Sequence, residues 1–326
     1  WLKPFGASCL GADLQKLDSR RLGMQKSIGR WPRVWHDESG KRLDWRTIVQ
    51  ISRPGWWLVH VWLYLAPTGQ KYELLGTATF WFGLLYALFP LNVLVYGMND
   101  YTDVDLDRDN KRKGNFLYGA KCTREQLKDL PSIVVILNVL GILVLAVATG
   151  KYGALALWLI ICFIVNGAYN FEPLRLSSKG PFELPCVVFG FSGVTALASI
   201  VNGLPWAPMR YWLHMSCLVL RTQLWTEYLD YEPDLACKRR TTSTLVGRTG
   251  SKMLTVLFLI GEFLTTAFYF NDIIFQLFSV TGIVVFVALE VVRGTSDAEK
   301  KKAMKVQNAI GLSLVFYIWS KGLFAA

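Results

Sequence analysis

Nine apolar runs, each near the length a helix needs to cross a bilayer, constrain this chain more than any other feature. They fall near 50–67, 77–98, 131–149, 153–169, 182–202, 209–229, 252–270, 273–293 and 307–324. A spanning helix needs about 17–25 predominantly apolar residues. In hydrocarbon every backbone N–H and C=O must be satisfied inside the segment, which leaves the helix as the natural state for runs of this kind. Composition agrees, with 52% of the 326 residues hydrophobic and 18% charged, whereas soluble domains carry about 25% charged residues. The expected architecture is an all-α integral membrane protein: nine transmembrane helices around a central cavity. The first span is the least clean, because Arg53 and Pro54 stand at its entrance and His60 lies within it.

The net charge of +11 is distributed by topology. The loops 99–131, 170–182, 230–252 and 293–306, which follow even-numbered spans, hold seven, two, five and five Lys and Arg, and residues 1–46 hold ten. The opposite loops carry only Lys71, Lys151 and Arg210. The positive-inside rule therefore places the even-numbered ends on the cytoplasmic face, or on the stromal or matrix face of an organelle. Residues 1–46, with Trp31, Trp35 and Trp45 among their bases, read as a basic interfacial arm against anionic headgroups. Residues 47–326 form the nine-helix domain. Charge placed by topology needs no nucleic acid, and none is expected as a partner. The chain starts at Trp1 and not at Met, so a further N-terminal segment is expected ahead of it. Six scattered cysteines without a CxxC pair, and three dispersed histidines, suggest neither a disulfide framework nor a zinc site.

Two acidic clusters stand out against this apolar background. The second span runs into NDYTDVDLDRDNKRKGN, where Asn99, Asp103 and Asp107 recur every four residues and Asp100 lies beside them. If the helix continues, those side chains share one stripe, with Asp105 and Asp109 off it. Carboxylates this dense repel unless a cation sits among them, and hard oxygen donors suit Mg²⁺ together with a substrate phosphate. The sixth span ends in EYLDYEPDLACKRRTTS, with Asp230 and Asp234 again four apart. Four spans separate the two clusters, so both emerge on one face. Each is trailed by bases, Lys111, Arg112 and Lys113 after the first and Lys238, Arg239 and Arg240 after the second. The matched placement suggests two weakly repeated four-helix halves plus one helix. Facing carboxylate pairs would hold Mg²⁺ around a diphosphate, and the bases would neutralise the remaining charge.

These residues carry a family resemblance. NDxxDxxxD after the second span and DxxxD after the sixth resemble the two signature motifs of the UbiA superfamily of intramembrane prenyltransferases. YNFEPLRLSSKG, residues 169–180, is similar to that superfamily's Tyr-x-x-Pro-Leu-Arg-x-Lys loop. The likeness covers roughly 47–324. The resemblance implies Mg²⁺-dependent transfer of an isoprenyl chain from a prenyl diphosphate to a lipophilic, expectedly aromatic, acceptor, with release of diphosphate. It assigns Asp103, Asp107, Asp230 and Asp234 to catalysis. Those four, with Asn99 and Asp100, are the expected metal ligands, and Lys111, Arg112, Lys113, Arg175, Lys179, Lys238 and Arg240 the expected diphosphate-binding bases. The stretches SRPGWW and RRTTSTLVG are similar to carotenoid-elongating members. One departure is Lys238, which stands where members often have glycine.

Two other readings compete. A terpene cyclase on the same scaffold would let the substrate's own double bond capture the cation. A cation transporter would need carboxylates near the midplane and broken helices there, whereas these clusters sit at one face among repelling bases. A CDP-alcohol phosphotransferase would carry DG and AR dipeptides that both motifs lack. Within the spans, Arg221 is read either as lining a cavity or as pairing with an acid such as Glu227, and His60 and Asn92 as satisfied core polar groups.

Overall fold

The computed structural model describes residues 43–105, 107, 113–291 and 297–325. Among the described residues the chain is helical, with two isolated β-bridges and no strand. Asp44 opens α1 (Trp45–Ile51) by accepting from the Thr47 amide at 2.7 Å. Arg53, in the left-handed region at φ +51°, and Pro54 then separate it from α2 (Trp57–Leu65). The run expected as one span over 50–67 is therefore two short helices.

The second run keeps its length despite a proline. Pro90 ends α3 (Ala78–Leu88) and opens α4 (Pro90–Thr102). It cannot donate back into the preceding turn, and beside it the Asn92 side-chain amide donates to the carbonyls of Ala87 at 3.1 Å and Leu88 at 2.8 Å. The pair remains one kinked crossing of 25 residues, Ala78–Thr102.

Thr123 starts α5 (Arg124–Leu127) with a capping box to Gln126, and α6 (Leu130–Thr149) continues the same crossing. Asn138 of α6 donates to Pro90 O at 3.0 Å and accepts from the Tyr86 hydroxyl at 2.8 Å, which ties the kink to its neighbour. Then follow α7 (Tyr152–Asn170), α8 (Glu183–Asn202), α9 (Met209–Leu229), α10 (Tyr231–Ala236), α11 (Thr242–Thr265), α12 (Ile273–Val291) and α13 (Asp297–Lys321). The core joins Tyr64, Phe80, Val93, Leu130, Leu155, Leu197 and Tyr211. The outer faces of α6 and α7 expose Ile136, Leu140, Val147, Ile160 and Ile164, as expected for helices apolar all round.

Six described helical segments are long and apolar enough to cross a membrane: 78–102, 124–149, 152–170, 183–202, 242–270 and 273–290. The chain is thus an all-helical integral membrane protein. The remaining three expected runs are the broken α1–α2 segment, α9, and the 309–321 portion of α13. The 21 residues of α9 include Arg210, Arg221 and Glu227, which lower its hydropathy.

Candidate active site

The first acidic motif sits where α4 stops. Asp103 caps the helix, its amide donating to Asn99 O at 2.9 Å, and the Asp107 amide donates to Asp103 O at 2.8 Å. The four-residue spacing of Asn99, Asp103 and Asp107 therefore persists past the last full turn. The Asn99 amide donates to Asp103 Oδ2 at 3.1 Å and to Asn170 Oδ1, at the end of α7, at 3.3 Å.

Asp100 occupies a different environment. Arg53 Nη2 lies 2.8 Å from its Oδ1, and Lys113 Nζ pairs with the same oxygen. Lys113 also reaches Asp107 Oδ2 at 3.0 Å. Arg53 lies 4.4 Å over the ring of Tyr96 as well. The loop returns past this cluster at Gly119, whose φ of +91° suits glycine. A Cβ there would stand 3.0 Å from Asp100 Oδ2 and 3.2 Å from Arg53 Nε.

The second motif repeats the geometry of the first. Asp230 caps α9, and the Asp234 amide donates to Asp230 O at 2.9 Å, one turn on within α10. Asp103 and Asp234 are both buried, at 6% and 8% exposure. They meet through arginines. Arg175, in the left-handed region after α7, donates from Nη2 to Asp103 Oδ1 at 2.9 Å. Arg239 places Nη2 3.6 Å from Asp103 Oδ2 and Nη1 3.8 Å from Asp234 Oδ1. Burial alone would depress its guanidinium, but the carboxylates of Asp103 and Asp234 outweigh that and hold its pKa above the usual arginine value.

The loops that carry these arginines are pressed together. The Gly180 amide donates to Arg240 O at 2.6 Å, and a Cβ on Gly180 would fall 2.4 Å from the Thr242 nitrogen, so only glycine fits. Two buried glutamates complete the junction at the N-terminus of α11. Glu183 accepts from the Thr242 amide at 2.6 Å, and Glu227 from the Ser243 amide at 3.1 Å and the Gln223 side chain at 2.9 Å. They satisfy amide groups that a helix start leaves open, at its positive end.

The other expected bases are placed as follows. Lys179 Nζ donates to Pro173 O at 2.5 Å. Lys238 and Arg240 are exposed, and Lys238 adopts φ +54°. A lysine thus occupies a backbone conformation that favours glycine. Lys111 and Arg112 lie outside the described residues, as do Asp109 and residues 1–42. Arg221 pairs with Glu262 of α11. Two residues in the site were not singled out from sequence. The resemblance selects Lys238 and Arg240 and passes over Arg239 between them, and Arg53 registers from sequence only as a charge at a span entrance.

The sequence profile of the UbiA prenyltransferase family matches residues 56–320. The chain belongs to the UbiA prenyltransferase family. It is a prenyl-transferring enzyme whose acidic motifs, at the ends of α4 and α9, converge at one end of the helical bundle. Among curated proteins, a lycopene elongase/hydratase of Haloarcula japonica is 26% identical, the match covering 69% of this chain and 74% of that protein. A lycopene elongase/hydratase of Corynebacterium glutamicum is 25% identical, with 68% and 77% covered. Among solved structures, a UbiA homolog from Archaeoglobus fulgidus bound to DMAPP and Mg²⁺ superposes with a TM-score of 0.59 at 15% identity, covering 84% of this chain and 99% of that one. The same homolog bound to GPP and Mg²⁺ gives 0.54. At that identity the likeness is one of fold.

Proposed function

We propose that this UbiA-family enzyme transfers a prenyl group from a prenyl diphosphate held between its two acidic motifs to a long isoprenoid acceptor. The observation that carries this reading is the approach of Asp103 and Asp234, from separate motifs, to one guanidinium in a buried setting. Carboxylates brought together at a helical end would hold a cation, and that cation with Arg175 alongside would suit a leaving group whose negative charge grows as it departs.

The donor set fits Mg²⁺. Asp103, Asp107, Asp230 and Asp234, with the Asn99 carbonyl, offer only hard oxygen ligands. Among the described residues no three His, Cys, Asp or Glu form a ready metal cage. Mg²⁺ takes one or two carboxylates and fills its shell with water and substrate phosphate. When bound, Mg²⁺ supplies charge stabilisation to the departing diphosphate. Arg175 is the base best placed to bind the diphosphate, with Lys179, Lys238 and Arg240 on the surrounding loops. Lys113 orients Asp107 and Asp100.

In the reaction the bond from C1 of the prenyl group to the diphosphate oxygen breaks, and its electron pair leaves with diphosphate. The π pair of an acceptor double bond forms the new C–C bond to C1. The cation left on the acceptor then loses a proton, or takes water and loses a proton from it. The apolar helix walls keep water from the allylic cation. The names of the curated relatives support a polyene acceptor such as a carotenoid over the aromatic acceptor expected from family frequency.

The reading includes nine crossings and a cytoplasmic, stromal or matrix placement of the motif-bearing loops. It is supported by the length of α9, about 30 Å at 1.5 Å per residue, and by the basic bias of those loops. The test incubates purified protein in nanodiscs with Mg²⁺ and labelled dimethylallyl or geranyl diphosphate, with lycopene, with an aromatic acceptor, or with neither. Label in an elongated carotenoid supports the proposal. Label in the aromatic product, or a cyclic hydrocarbon formed without acceptor, overturns the polyene assignment.

A further inference from the structure

Two carboxylates as buried as Asp103 and Asp234 repel each other, and in this structure Arg239 supplies the positive charge between them. The local backbone aims it there. Lys238 turns the chain through φ +54°, and the Arg239 amide then donates to Asp234 O at 2.8 Å. On the side chain, Nε donates to Ser178 Oγ at 3.3 Å, so one edge of the guanidinium is held by the loop after α7. The two terminal nitrogens divide between the motifs, 3.6 Å from Asp103 and 3.8 Å from Asp234. Those separations are ion pairing without a closed hydrogen bond. Arg175 differs, holding the other Asp103 oxygen at a full hydrogen-bond distance of 2.9 Å.

We infer that Arg239 is the resident counter-ion of the metal-free site, which yields Asp103 and Asp234 to Mg²⁺ and transfers its guanidinium to the diphosphate. This rests on the prenyl diphosphate reading above. Arg239 and a metal ion compete for the same two carboxylates, while Arg239 and the diphosphate attract. Removing the guanidinium therefore acts with opposite signs on the two ligands. A base that served only to bind diphosphate would leave metal affinity in its absence unchanged. A base that served only the fold would weaken both.

The experiment compares wild type with the neutral variants Arg239→Gln and Arg239→Met in phosphatidylcholine nanodiscs, where no anionic headgroup competes. Mn²⁺ binding without diphosphate is followed by electron paramagnetic resonance. Inorganic pyrophosphate binding is measured at saturating Mg²⁺, and thermal unfolding in EDTA and in Mg²⁺. For Arg239→Gln the expected results are Mn²⁺ binding roughly threefold to tenfold tighter and pyrophosphate binding roughly tenfold weaker, the scale of one unit charge at a few ångströms in a partly solvated site. The fall in Tm is expected to be larger in EDTA than in Mg²⁺, because the metal replaces the lost charge. Mn²⁺ binding that is unchanged or weaker, or an equal fall in Tm under both conditions, overturns the inference. If Arg239→Gln does not fold, the equally neutral Arg239→Met decides: tighter Mn²⁺ with weaker pyrophosphate supports the inference, and any other pattern overturns it. Wild type that binds neither Mn²⁺ nor pyrophosphate overturns the prenyl diphosphate reading itself.

Discussion

Arg175 donates to Asp103 at 2.9 Å across 72 positions of sequence, joining the loop after α7 to the end of α4. Both groups are mostly shielded, with side chains 28% and 8% exposed. A guanidinium so placed both fixes the carboxylate and presents further N–H donors to an incoming phosphate. Arg175→Lys keeps the charge and loses the planar set of donors. We expect kcat/KM for the prenyl diphosphate to fall roughly tenfold to a hundredfold, matching the loss of about 1.5–3 kcal/mol for a charged hydrogen bond. Asp103→Asn should fall further, to background. Release of diphosphate under Mg²⁺ saturation measures both, and near-wild-type turnover in Arg175→Lys would show that the contact belongs to the fold alone.

The environment of Asp100 leads to a different expectation. It is 4% exposed and pairs with both Arg53 and Lys113, the latter shared with Asp107. Removing its charge leaves two cations without their shared partner, and breaking a buried pair from one side costs about 3–5 kcal/mol. Asp100→Asn should therefore lower Tm strongly, and to the same extent with EDTA and with Mg²⁺. A loss of Tm that Mg²⁺ abolishes would return Asp100 to the metal-binding set expected from the sequence.

These two aspartates show what the sequence could and could not convey. The four-residue recurrence of Asn99, Asp103 and Asp107, and of Asp230 and Asp234, follows from helix geometry and survives at both helix ends. The partners of each carboxylate come from distant loops, and periodicity carries no information on those. Arg53 looked like a flaw in a membrane span because its counter-charge, Asp100, is 47 positions away. Arg239 could not be ranked above Lys238 and Arg240, since the left-handed turn at Lys238 sets which of three neighbouring bases is turned inward. Hydropathy missed the break at Pro54 for a similar reason. A window average does not register where one proline interrupts the hydrogen bonds. It also passes over the polar character of α9, whose charges lie far apart along the helix.

Cys122 gives a prediction in pH. Burial first, and then the charge of Asp100, push its thiol up from an ordinary 9.0 to about 12. The folded protein therefore holds this proton where the unfolded chain releases it. The associated stability is complete below about pH 9 and is lost as pH rises towards 12. Cys122→Ala should flatten the decline of Tm between pH 8 and pH 10 relative to wild type, as checked by paired unfolding series. Because only the thiolate reacts, iodoacetamide at pH 8 should label the exposed Cys237 well before Cys122. Equal labelling in the folded protein would contradict the assignment.

The last expectation concerns the ion pair between α9 and α11. Arg221 and Glu262 pair inside the bundle, with side chains 16% and 6% exposed, and α9 packs along α11 over much of its length. Charges at that depth are costly unless paired, and they either serve a substrate pathway or lock helices together. The two roles separate by a double substitution. Glu262→Leu alone leaves the guanidinium buried without its partner and should cost about 3–5 kcal/mol, while Arg221→Met with Glu262→Leu removes both desolvation penalties and should recover most of that loss. With the pair acting as a lock, the double variant regains prenyl transfer along with its Tm. Recovery of Tm without recovery of turnover would place Arg221 in the substrate path. Thermal unfolding and product formation on the same three preparations decide between them, because a folding defect lowers both measurements and a substrate role lowers only the second.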